Sequence, residues 1–183
     1  MRWKTAVVVI ALAGACGCAT GPAPRYYTLD MQPSGSAKPA CNIEIDRLRP
    51  AEALARNDIM IKKTATEIEY YAAHRWAAGP GELVREKLQT EFGRYPEAGR
   101  TVVVSGDILG FEQADVAGGA EARIKLDLEF RFEDAARNGP PILRKTYEAT
   151  RAAERKTPEA VVEALSHALE DVAAAIVADV NAL

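Results

Sequence analysis

Histidine and cysteine are scarce in this chain of 183 residues, and the scarcity narrows what the protein can do. The two histidines, His74 and His167, share no local spacing that would place both on one metal ion. There is no Gly-x-Ser-x-Gly elbow, no His-Glu-x-x-His pair and no phosphate-cradling loop. The glycine pair Gly118-Gly119 lacks the lysine and the strand-to-helix setting of a nucleotide site. Among the many carboxylates, Asp107 and Glu112 make the most enzyme-like pair, but acids near a strand end are ordinarily solvent-facing. Binding or scaffolding is therefore expected, with no catalytic residue, metal or cofactor.

An excess of basic charge is also missing. Lys and Arg number 23 against 26 Asp and Glu, for a formal net charge of -3. Removal of an N-terminal leader would take away Arg2 and Lys4 and leave about -5. Nucleic acid and anionic lipid both select basic surfaces, so neither is an expected partner through charge. Beyond the N-terminus no apolar run approaches the roughly 20 residues that cross a bilayer, and no internal repeat is visible.

The N-terminus carries the strongest positive signal. A basic opening, Met1-Arg2-Trp3-Lys4, precedes a small-and-apolar stretch over residues 5–15 and then Cys16-Gly17-Cys18. That is the layout of an export signal, with cysteine where a signal peptidase cuts. It resembles a lipobox, whose cysteine becomes the acylated first residue of the mature chain. Cys16, after Leu12-Ala13-Gly14-Ala15, is the preferred acyl site and Cys18 the alternative. With Cys16 acylated, Cys18 and Cys41 remain as an even pair for an oxidising compartment. A disulfide between them would stabilise by ~3 kcal/mol in the chain-entropy model; the other reading of Cys41 is a partly buried thiol. Residues 1–15 are thus expected to be a signal peptide, 16–40 a lipid anchor and Pro/Gly/Ser-rich linker, and 41–183 one periplasmic domain. Neither Gly17 nor Ala19 is the aspartate that retains lipoproteins in the inner membrane, so the periplasmic face of the outer membrane is expected.

The linker is interrupted by Arg25-Tyr26-Tyr27-Thr28-Leu29-Asp30, read as an edge strand packing on the domain. Further strands are predicted at residues 42–46, 58–63 and 67–71, the last two forming a hairpin. A short helical turn beginning at Pro50 is expected between the first two. A helix over residues 82–95 presents Leu83, Val84, Leu88 and Phe92 on one side. A strand starts at Thr101 and continues through Ile108 to Phe111. Residues 121–133 alternate most cleanly, with Ile124, Leu126, Leu128, Phe130 and Phe132 on a dry face and charged residues on a wet one. A last strand, antiparallel to it, covers 142–151. A helix over 158–182 starts with Thr157 as cap, Pro158 at its first position and Glu159 in its first turn. The sum is an α+β fold: a mixed, largely antiparallel sheet with two main helices packed on its apolar face.

Several segments stand in a telling order. Tyr26-Tyr27-Thr28-Leu29 follows the lipobox; Leu54-Ala55-Arg56 leads into Asp58-Ile59-Met60-Ile61; Glu69-Tyr70-Tyr71 precedes Arg75-Trp76-Ala77 and the helix with Leu83 and Leu88. This order resembles the ABC-type transport auxiliary lipoprotein family (PqiC-like) over nearly the whole mature chain. The resemblance implies an accessory of an MCE-type system that moves lipids or other hydrophobic compounds across the envelope. Its partners would be an MCE-domain protein with its permease and ATPase, and homo-oligomers are compatible because MCE proteins form rings. Trp76, Tyr26 and Tyr27 are the candidate partner contacts, with packing as the alternative for each. Two rival functions are a lipid-binding carrier and an activator of a cell-wall synthase.

Overall fold

The computed structural model describes residues 22–31, 39–93, 99–135 and 139–183; Cys16, Cys18 and most of the expected linker lie outside them. In chain order the elements are β1 (Arg25–Tyr27), β2 (Asn42–Pro50), β3 (Asp58–Lys62), β4 (Ile68–Trp76), α1 (Pro80–Phe92), β5 (Thr101–Val116), β6 (Gly119–Phe132), β7 (Leu143–Ala153) and α2 (Pro158–Val180). The seven strands form one sheet ordered β1-β4-β3-β5-β6-β7, with β2 also paired to β5. The long ladders, β5 with β6 and β6 with β7, are antiparallel, as is the β3–β4 hairpin. The pairs β1–β4, β2–β5 and β3–β5 are parallel.

β5 organises the domain. One edge holds β6; the other holds β2 along its first half and β3 farther along. Its partner β6 keeps strict alternation: Ala120, Ala122, Ile124, Leu126, Leu128 and Phe130 are all buried. Phe132, at the strand's end, is partly buried against the same core. β5 itself breaks step once. Between Ile108 and Gly110 the register shifts, leaving Leu109 as the extra, exposed residue of a bulge. The bulge lets Ile108 and Phe111, three positions apart, both face the core.

α2 lies over β6 and β7 with Val161, Leu165, Leu169, Val172, Ile176 and Val180 turned inward. Thr157 caps it by accepting from the Ala160 N–H. β7 is an edge strand whose inward positions include polar heads, and these meet acids on the helix. Arg151 pairs with Asp171 at 2.6 Å, while Lys145 and Tyr147 both reach Asp179 at 2.7 Å. Their stems cover apolar surface and their tips stay polar.

α1 starts at Pro80, two residues earlier than its periodicity suggested, and is followed by Gly93 as its cap. It packs Leu83, Val84, Leu88 and Phe92 against β2 and α2. Gln89 of α1 does something more specific. Its side-chain amide accepts from the Ile45 N–H at 2.9 Å and donates to the Ile43 carbonyl at 3.2 Å. One side chain thus stands in for a neighbouring strand on the side of β2 that faces away from β5.

Pro50 ends β2, paired with Ile108, instead of opening a helix; a single 3-10 turn at Glu52–Leu54 follows. Its fixed φ suits the end of a strand as well as a helix start. β4 runs on past the expected Tyr71 to Trp76, because His74, Arg75 and Trp76 find partners in β1 and Arg75 a second one in β3.

Candidate docking and anchoring site

Two regions carry concentrated polar chemistry. The first is where the Tyr-Tyr-Thr-Leu segment fastens to the domain. Tyr27 donates its hydroxyl proton to Glu159 Oε1 at 2.8 Å and lies 2.7 Å from His74 Nδ1. With that proton committed to Glu159, the imidazole N–H is the donor to the Tyr27 oxygen. The Tyr27 and His74 rings stack with centroids 5.6 Å apart, and Arg25 pairs with the same Glu159 at 3.0 Å. Burial, then the Glu159 carboxylate, pushes the Tyr27 hydroxyl pKa up. Glu159 is held low by its own backbone N–H at the helix start, then by Tyr27 and Arg25. Two residues on, Leu29 enters the core at 1% exposure and the Asp30 N–H bonds Ser166 of α2 at 3.0 Å. The segment is therefore a strap pinned to β4 and α2.

Beside the strap three turns converge on one carboxylate. Asp115, at the end of β5, accepts from Lys156 at 2.6 Å and from the Gln113 amide at 2.7 Å, and pairs with Lys63 at 3.2 Å. Burial pushes Asp115 up, but these donors outweigh it and hold its pKa low. Gln113 is fully buried and accepts from the Tyr71 hydroxyl at 2.6 Å, so no part of the cluster lacks a partner. The β3–β4 turn, the β5–β6 turn and the β7–α2 link all meet here. Gly118 in the β5–β6 turn has φ +84°, which favours glycine.

The second region is the sheet face opposite the helices. Asp107 and Asp127 sit directly across from each other on β5 and β6. Like charges in that relation repel, and each is met by an arginine from a flanking strand. Arg49 of β2 grips Asp107 at 2.8 and 3.2 Å; Arg144 of β7 bonds Asp127 at 3.0 Å and also reaches Glu129. The Arg144 hydrogen bond, and then Thr146, holds Asp127 below the usual carboxylate range. Asp46 and Arg47, with Arg49, Asp107, Asp127, Glu129 and Arg144, wall an open trough of about 350 Å³. Lys125 and Glu148 continue the pattern across β6 and β7. This is a face of alternating fixed charges.

The candidate residues fall out as follows. Trp76 is 1% exposed and packs against Phe111 with centroids 5.0 Å apart and rings tilted by 40°; its indole faces the core, so it offers no surface to a partner in this structure. Tyr26 is 62% exposed and alternates with the inward Tyr27. Asp107 and Glu112 lie on the same sheet face, but their β6 partners, Asp127 and Arg123, are four residues apart. At ~3.4 Å per residue that is about 13 Å, beyond the reach of a carboxylate pair acting together. Glu112 is 7% exposed, accepts from the Phe111 N–H at 2.5 Å, and has its pKa raised by burial. His74 serves the strap, and His167 bonds Glu170 at 2.9 Å on the outer side of α2. Among the described residues no cluster of three His, Cys, Asp or Glu could hold a metal, and no helix is long and apolar enough to cross a membrane. Cys41 is half-buried; the proposed pairing with Cys18 and the acyl site Cys16 fall outside the described residues.

Gln89, Glu159, Gln113 and Asp115 went unnoticed as site residues. Glu159 carried a helix-start signal, whereas Gln113, set between Glu112 and Ala114, carried none. Nothing local marks Gln89.

A family model described as an ABC-type transport auxiliary lipoprotein component matches residues 27–177. No curated protein matches the sequence. Among solved structures, a protein from Xanthomonas campestris (XCC0632) is similar at TM-score 0.68 and 17% identity, over 84% of this chain and 91% of that one. An uncharacterized protein is similar at TM-score 0.66 and 11% identity, over 86% and 99%. At such identities the likeness speaks for the fold alone.

Proposed function

The chain belongs to the family of ABC-type transport auxiliary lipoprotein components, and from that premise we propose that it is an outer-membrane-anchored periplasmic accessory of an MCE-type transporter of lipids or other hydrophobic compounds. In this reading residues 1–15 are removed, Cys16 (or Cys18) carries the acyl chains, and residues 41–183 work by protein–protein contact, without catalysis. The ATPase, permease and MCE ring are other chains. Assembly into a homo-oligomer belongs to the same reading.

The observation that carries it is the family match over 27–177. The geometry supports contact as the mode of action. The space between sheet and helices is filled by Trp76, Phe92, Phe111 and Phe130, each at most 1% exposed, and the opposite face is a field of paired charges. A carrier would instead enclose cargo in an apolar pocket of several hundred Å³.

Co-purification from detergent-solubilised native membranes tests the reading. Recovery of an MCE-domain subunit and permease supports it. Recovery of a peptidoglycan synthase instead supports the activator alternative, and a stoichiometric bound lipid without protein partners supports the carrier.

A further inference from the structure

We propose that the domain stands on the bilayer by its turn-bearing end, with the Lys63–Glu67 turn, the Val116–Gly119 turn and the link before α2 facing the lipid headgroups. The proposal rests on the lipid-anchor reading above and adds to it an orientation and a contact surface.

The argument starts from how the strap limits the tether. β1 runs parallel to β4, from Arg25 beside His74 to Tyr27 beside Trp76. The chain before Arg25 therefore leaves toward the start of β4, where the β3–β4 turn lies. Pro22 is the first described residue, six positions after Cys16 and four after Cys18. At up to ~3.6 Å per residue the tether spans at most about 22 Å from Cys16 or about 14 Å from Cys18. Without the strap, the free chain would reach β2, which begins at the opposite end of the sheet.

The distance to that opposite end decides the orientation. From Asp115 to Thr101, β5 covers fourteen steps, or about 45 Å at roughly 3.3 Å per residue. Through Arg75–Asp58 and Ile61–Gln113, Arg25 lies about level with Gly110, ~30 Å from Thr101. The chain before it leaves away from that end, so with the Thr101 end on the bilayer and the sheet upright the tether would have to double back at nearly full stretch. The two remaining postures are upright on the turns, or lying flat.

The surfaces separate these two. Flat contact would press broad faces rich in both acids and bases onto lipid, and the chain's balance of charge is acidic. At the turn end both lysines of the cluster, Lys63 and Lys156, are bound to Asp115. The tips carry the small neutral Thr64, Thr66 and Ala117 together with the exposed charges Glu67, Glu154 and Arg155, a far smaller charged patch than either broad face would press onto lipid. Ile68, at the base of the first turn, is 43% exposed, an aliphatic side chain for which the protein supplies little cover. The upright posture leaves the Thr101 end about 45 Å from the headgroups, where β2, β5 and β6 meet the C-terminus of α2, free for a partner arriving from across the periplasm.

The test uses the full lipidated protein in vesicles of phosphatidylethanolamine and phosphatidylglycerol containing a headgroup-quencher lipid. A fluorophore is introduced by a bioorthogonal residue at Thr66 or at Asp134. Several-fold stronger quenching at Thr66 than at Asp134 is expected. Insertion of about twenty Gly and Ser residues after Thr20, which frees the tether without touching the fold, should erase that contrast. Equal quenching at both sites in the unaltered protein, with vesicle flotation intact, overturns the upright posture alone. A chain that fails to float overturns the anchor reading and the posture with it.

Discussion

The Tyr27 hydroxyl donates to the Glu159 carboxylate at 2.8 Å, joining the first strand to the first turn of the last helix across 132 positions of sequence. That bond, with Leu29 beneath it, decides that the N-terminal segment is part of the domain and not slack linker. The two components differ in weight. Leu29→Ala should destabilise by about 2–5 kcal/mol, as a buried leucine truncation does. Tyr27→Phe should cost about 1–2 kcal/mol, the net worth of the partly exposed bonds its hydroxyl makes with Glu159 and His74. Urea titration of both variants gives the ranking directly.

Gln89→Ala should destabilise by about 1–3 kcal/mol, because the partly buried Ile45 N–H and Ile43 carbonyl both lose their partner. Gln89→Glu should recover only part of this, since a carboxylate accepts from Ile45 but cannot donate to Ile43. Hydrogen exchange at the Ile45 amide should accelerate strongly in the alanine variant and weakly in the glutamate one.

Gly106 allows no side chain. A Cβ there would lie 2.0 Å from the Asp127 carbonyl oxygen, which is backbone and cannot swing away. Gly106→Ala should force β5 and β6 apart and cost about 1–3 kcal/mol, as overpacking does. Thermal unfolding should show the loss, with no matching loss for Ala117→Ser at the exposed turn.

Glu112 supplies a pH dependence of known sign. Burial raises its folded pKa above the unfolded value, so the native state binds the extra proton. Its favourable contribution is complete below the unfolded carboxylate pKa and disappears as pH rises through the folded one. Glu112→Gln keeps the acceptor for the Phe111 N–H and removes the charge. It should raise stability at neutral pH and change little at pH values where the parent is protonated; equal effects at both would contradict the burial argument.

Local pattern made some of this legible and hid the rest. β6 could be read because every second residue from Ala120 to Phe130 is buried, and α2 because its apolar positions recur at helical spacing behind a Thr-Pro-Glu start. The β3–β4 hairpin was visible as two short runs close in sequence. The end of β5 was harder, since the bulge at Leu109 shifts the alternation. Parallel pairings such as β2 with β5 join segments about sixty residues apart, and no nearby residue announces them. Trp76 reads as either surface or core in the sequence, because the Phe111 ring that packs on it comes from another strand. The strap was half legible: Tyr27 and Leu29 looked too apolar for a linker, but His74 and Glu159 could be named as partners only once the topology was known.

The placement at the membrane and the posture on it both depend on the anchor, and mass spectrometry of the mature N-terminus from native membranes tests it most directly. The account predicts a chain that begins at Cys16 (Cys18 in the alternative) and carries three acyl chains. A protein that retains residues 1–15, or whose first cysteine is an unmodified thiol, would contradict it.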